Sequence, residues 1–199
     1  MNVEPRQTII KRHGGKGSGW FSPPLGDHAG EKEEVENKFK DILDRTEKEI
    51  VKNPYETAVA FDSNGNEILR KVGGQSNVVF TEKEMINLLE TDKITFTHNH
   101  PKDVAFSPHD IYFMRKCRID EMRAVGEKYL YRAKLKEDIN YYQINRIVEK
   151  KNIEVRGWFR DMIGEGRMSI NEANSKHWHV VWDEIQKEND WLFYERTIR

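Results

Sequence analysis

A single cysteine, six prolines and the absence of any long apolar run close off several protein classes for this chain of 199 residues. Cys117 has no partner for an intrachain disulfide, and it is expected to pack in the core rather than react. No segment approaches the roughly 18 consecutive apolar residues of a membrane span, and the first residues lack a signal peptide's apolar stretch. These absences predict a soluble, cytoplasmic protein with no membrane partner. Charge of one sign is also missing: Lys plus Arg number 33 against 34 Asp plus Glu, for a formal net charge of -1. That balance argues against a broad nucleic-acid-binding face. Gly14 to Gly19 lacks both the Gly-Lys-Ser/Thr ending and the preceding strand of a phosphate-binding loop, so nucleotide binding is not expected.

What is present is a cluster of metal-ligating residue types. Thr97-His98-Asn99-His100-Pro101 is followed, six residues beyond His100, by Ser107-Pro108-His109-Asp110. Residues 93–97 (KITFT) favour an extended chain, and side chains two apart at a strand end point to the same side, so His98 and His100 can converge. Ser107 before Pro108 reads as a helix N-cap with proline at the first helical position, and Asp110 then falls in the first turn. His109 points elsewhere around that helix, to the surface or a cleft rim. Two imidazoles and one carboxylate suit Zn²⁺ with a position left for water, which is a catalytic rather than a structural ligand count. Such a site needs a proton acceptor. Glu56 is the candidate, because a lone carboxylate in the apolar, β-prone Tyr55-Glu56-Thr57-Ala58-Val59-Ala60-Phe61 is costly to bury without a partner.

A glutamate on an early strand followed by His-x-His-Pro and then Ser-x-x-Asp resembles the JAMM (MPN/JAB) metalloprotease family. The resemblance covers roughly residues 54–135. It implies zinc ligands His98, His100 and Asp110, an acid/base at Glu56, and a serine at Ser107 that holds the water and the oxyanion. It implies a metallopeptidase or isopeptidase acting on a protein or peptide substrate, and a curved mixed sheet flanked by helices, similar to that of the cytidine deaminases. Many members have seven residues between the second histidine and the serine, where this chain has six. His-Asn-His-Pro is also the form seen in the bacterial RadC-type branch. That likeness supplies a third reading, a nucleic-acid-associated protein with a basic surface from Arg115, Lys116, Arg118 and Arg146.

Around the motif the pattern is α/β. Residues 54–61 and 67–72 read as a hairpin about Asn64-Gly65, Thr81 and Glu84 as a capping box before a helix, and residues 121–125 and 128–135 as two further strands. Residues 1–30, rich in Gly and Pro, read as a flexible arm in which Trp20 and Phe21 are possible anchors. The arm is similar to the glycine-rich segments of tailed-phage head and portal-associated proteins, which suggests a second reading: a phage structural or interaction module that keeps the metal scaffold and is virion-associated or in the host cytoplasm. Residues 31–51 form an amphipathic helix that covers the sheet or forms a homodimer. Residues 31–135 are thus taken as one α/β metal-binding domain and residues 136–199 as a helical extension packed on it. Within the extension, residues 138–150 and 154–163 form two helices, and a third, capped by Ser169, reaches as far as Trp191. Trp158, Trp178 and Trp182 either glue the extension to the core or line a groove. His177 and His179, two apart on a helix, lie on different faces and form no second metal site.

Overall fold

A computed structural model describes residues 28–136 and 139–199, with side chains from residue 34 onward. Its elements are α1 (His28–Ile50), β1 (Thr57–Phe61), β2 (Glu67–Val72), α2 (Glu82–Glu90), β3 (Thr95–Asn99), α3 (Pro108–Lys116), β4 (Glu121–Val125), β5 (Tyr129–Leu135), α4 (Tyr141–Gly164), α5 (Ile170–Glu188) and β6 (Leu192–Ile198). The strands form one mixed sheet in the order β2-β1-β3-β4-β5-β6. Only β3 and β4 run parallel, joined by the α3 crossover; the other neighbours are antiparallel. The chain is therefore a mixed α/β protein.

Local chemistry explains the elements. The β1–β2 hairpin closes on Asp62, whose carboxylate accepts from the amides of Asn64 and Asn66, while Gly65 takes the left-handed φ of +80° that the turn needs. Thr81 and Glu84 form the expected capping box at α2. Every residue of β1 is buried, from Thr57 through the apolar run Ala58 to Phe61, because helices cover both sides of the sheet. On one face α1 packs Leu43 and Ile50 against Val59, Phe61 and Val125. Here Glu47 accepts hydrogen bonds from Thr97 and Arg123, neutralising a carboxylate that is almost fully buried. On the other face Ala58, Phe96, Ala124 and Tyr131 meet Leu88 of α2, Met114 of α3, Ile144 of α4 and Trp182 of α5. No helix among the described residues is long and apolar enough to cross a membrane.

Three expectations need correction. Residues 28–30 belong to α1 rather than to the arm, whose remainder, with Trp20 and Phe21, lies outside the described residues. The helices expected over 138–150 and 154–163 are one, α4, because the intervening Lys151-Asn152-Ile153 contains neither proline nor glycine to break it; Lys151 pairs with Glu154 and with Glu188 of α5. The last segment is not wholly helical. After Asn189 the apolar period changes from helical to two, burying Leu192 and Tyr194 while Phe193 is exposed, so β6 pairs with β5 along its full length. Trp191 sits buried at the entry to this strand, not in a helix.

Candidate metal centre

The carboxyl end of β3 and the start of α3 meet at one point, the position outside a parallel strand where α/β sheets commonly place ligands. His98 and His100 both lie at this end, with Nε2 atoms 2.8 Å apart. Asp110 completes the group, Oδ1 at 3.7 Å from His98 Nε2 and Oδ2 at 3.8 Å from His100 Nε2. Both histidines are buried and the aspartate is partly so. Among the described residues this is the one His/Cys/Asp/Glu group with its ligand atoms close enough to hold a metal ion.

The donor set fits a divalent cation. Four-coordinate zinc with bonds of ~2.0–2.1 Å places ligand atoms about 3.3 Å apart, within the spread of separations seen here. His100 Nδ1 lies 2.7 Å from the Val104 carbonyl, so it carries the hydrogen and leaves Nε2 as a lone pair. His98 Nδ1 is buried without a hydrogen-bond partner. Burial, and then the neighbouring His100, pull the His98 pKa down to about 4 against the opposing influence of Asp110. His98 is therefore neutral near pH 7. The 2.8 Å contact between the two Nε2 atoms is satisfied by a hydrogen carried on one of them, or by a cation that takes both lone pairs.

Asp110 is held by the helix start. The Ser107 amide and hydroxyl both donate to Oδ2, at 2.7 and 2.9 Å, forming a capping box with Asp110 at the third helical position. The hydrogen bonds thus fall on Oδ2, and Oδ1 remains as the better ligand atom. The Ser107 hydroxyl hydrogen, expected at an oxyanion, is here committed to the aspartate. Trp182, fully buried on α5, donates from Nε1 to the Phe106 carbonyl at 2.7 Å and so anchors the residue before the cap.

Glu56, half-buried, lines the same cavity of about 590 Å³ as His98, Ser107 and Asp110. Burial pushes its pKa up; His100 opposes that shift and Asp110 adds to it. Its backbone is pinned to the end of the hairpin, N–H to the Gly74 carbonyl and carbonyl to the Gly73 amide, each at 2.8 Å. His109 is exposed on the rim of the cavity.

All five residues expected from the sequence are therefore neighbours. Sequence reasoning passed over Asn99, Gly73, Gly74 and Asp103. Asn99 was legible only as the spacer of the His-x-His pair, although an amide flanked by two ligands on a buried strand is a signal in itself. The His177 and His179 rings are engaged with Asn152 and with the Tyr194 hydroxyl respectively, apart from any metal group. Trp182 is core, whereas Trp158 is half-exposed. Cys117 is buried beside Met85, and burial raises its thiol to about 11.

No family model, curated protein or solved structure matches this chain.

Proposed function

We propose that this protein is a zinc-dependent hydrolase of amide bonds, a peptidase or isopeptidase of the JAMM type. The observation that carries the reading is the convergence of His98, His100 and Asp110 at the head of a cavity that also contains the Glu56 carboxylate. The element order from β1 to β5 and the placement of the ligands at the β3–α3 junction support it. When bound, zinc supplies Lewis acidity that makes water nucleophilic near neutral pH and polarises an amide carbonyl. Glu56 takes a proton from the attacking water on a carboxylate oxygen and delivers it to the nitrogen of the leaving amine. Its raised pKa suits both halves of that transfer. Ser107 orients the aspartate ligand, and its hydroxyl reaches an oxyanion only by turning away from Asp110 Oδ2.

Among the described residues the cavity is lined only by the segments between Glu56 and Met122 and by none of α4 or α5, which favours an enzyme over a structural module; Trp20, the other residue expected to seal it in a module, lies outside the described residues. Elemental analysis of protein purified without added metal tests the site: about one zinc per chain in wild type is expected, falling in His98→Ala and Asp110→Ala. Glu56→Gln should keep the zinc and lose ~10²–10⁴-fold in turnover on a peptide library. A wild type that cannot be loaded with zinc sinks the proposal, and undiminished turnover in Glu56→Gln removes that residue from the mechanism.

A further inference from the structure

The residue between the two histidines performs a separate task on the opposite face of the sheet. Asn99 is fully buried, and its side chain reaches across to the segment that carries Glu56. Its Oδ1 accepts from the Thr57 amide at 2.6 Å, and its Nδ2 donates to the carbonyls of Asn53 at 3.0 Å and Tyr55 at 3.2 Å. These three groups bracket Glu56 in the chain.

The reason lies in the strand register. β1 and β3 pair antiparallel from Phe61/Thr95 to Ala58/His98, and there the ladder stops. The next pair would be Thr57 with Asn99, but the β3 backbone at this point stays with β4, where Asn99 pairs with Val125 and the His100 amide donates to the Val125 carbonyl. β1 and β3 therefore separate by one residue where Glu56 and His100 would otherwise face each other. This separation makes room between the carboxylate and the ligands, and it leaves the Thr57 amide of β1 and the Asn53 and Tyr55 carbonyls of the segment before it without partners on the β3 backbone. The Asn99 carboxamide satisfies all three.

We infer that Asn99 is the positioning residue for Glu56: its carboxamide spans the divergence of β1 from β3 and so sets the distance between the Glu56 carboxylate and the metal ligands. The inference rests on the reading of Glu56 as the acid/base. Few side chains can substitute. Aspartate keeps the acceptor for Thr57 but turns a second oxygen toward two carbonyls, leucine fills the space without polar atoms, and glutamine is one carbon too long for the gap. One strand residue thereby links two otherwise independent parts of the centre, the ligand pair and the proton carrier. Asn99 touches no reacting atom itself.

The test compares wild type with Asn99→Leu and Asn99→Asp in the full chain, loaded with zinc alone. Zinc stoichiometry should be unchanged, because His98, His100 and Asp110 are intact. Hydrogen exchange at the Thr57 amide should accelerate at least about tenfold in Asn99→Leu, its acceptor being gone. Turnover should lose about 10- to 100-fold in kcat with KM within about twofold, the signature of a displaced proton carrier. Thr57 exchange that accelerates with kcat unchanged overturns the inference. If wild type hydrolyses no amide, the catalytic reading fails on its own, and crystal structures of the zinc-loaded proteins still judge Asn99: a Glu56 carboxylate displaced by about 1 Å or more in the variants upholds the positioning role, and an unmoved one overturns it. Should Asn99→Leu fail to fold, the kcat and Glu56-displacement comparisons are read from Asn99→Asp, which keeps the volume and the Thr57 hydrogen bond, so that Thr57 exchange stays near wild type, but drops the two donated bonds to Asn53 and Tyr55.

Discussion

Asp110 divides its two oxygens between structure and chemistry, and Ser107 enforces the division. A carboxylate that accepts two hydrogen bonds on Oδ2 cannot rotate freely, so Oδ1 is held toward the histidines without further ordering cost when a metal arrives. Ser107→Ala removes one of those bonds and the helix cap together. The expected outcome is a loss of ~0.5–2 kcal/mol in urea denaturation of the metal-free protein, together with a ~10- to 100-fold weaker zinc affinity in chelator competition. An unchanged zinc affinity would show that the cap serves the helix alone.

The loop from His100 to Ser107 is short, and the elements around it define its path. Asp103 adopts a left-handed φ of 54°, and its Oδ1 accepts from the amides of Lys128 and Tyr129 at the β4–β5 turn. Gly126 in that turn must lack a side chain, because a methyl group there would sit 1.8 Å from Asp103 Oδ1. From the far side Trp182 holds the Phe106 carbonyl. Trp182→Phe leaves that carbonyl buried and unpaired, and should cost about 1–3 kcal/mol in urea denaturation. Gly126→Ala should push the loop outward and lower zinc affinity with the ligands untouched; a chelator titration identical to wild type would contradict this. The loop's six residues suffice because both of its ends are fixed by neighbours.

Across the whole molecule, ion pairs on the sheet and a neutral histidine predict how stability responds to pH. Burial alone would raise Glu121, but hydrogen bonds from Arg132, Lys134 and Arg123 outweigh it and hold the carboxyl at about 2. Its contribution, on the order of 2–3 kcal/mol, is complete above the unfolded carboxylate range near pH 4.5 and is lost as pH falls through about 2. His179 behaves differently. Burial, and then Arg196, depress it to about 4, so the folded state binds fewer protons than the unfolded one between about pH 6.5 and 4. Stability from this group is therefore full above pH 6.5 and falls as the pH drops toward 4. Urea midpoints of the metal-free protein should decline over that window, and His179→Phe should flatten this part of the decline. A variant whose midpoints track wild type across the window would remove His179 from the account.

Much of the centre was legible because its chemistry is local. His98 and His100 share a strand, Ser107 and Asp110 share a helix start, and period and capping follow from neighbours within four residues. Those rules also located the β1–β2 turn at Asn64-Gly65 and the strand at residues 121–125. Local rules do not reach the rest. That β6 joins β5, that Trp182 anchors Phe106 and that Asn99 holds the Glu56 segment are pairings over 42 to 76 residues of chain, decided by which sheet edges and buried backbone groups remain unsatisfied once the layers pack. The sequence by itself determined the ligand types and their two short frames; only the tertiary structure decided how far apart the frames stand, because that distance depends on where β1 leaves β3.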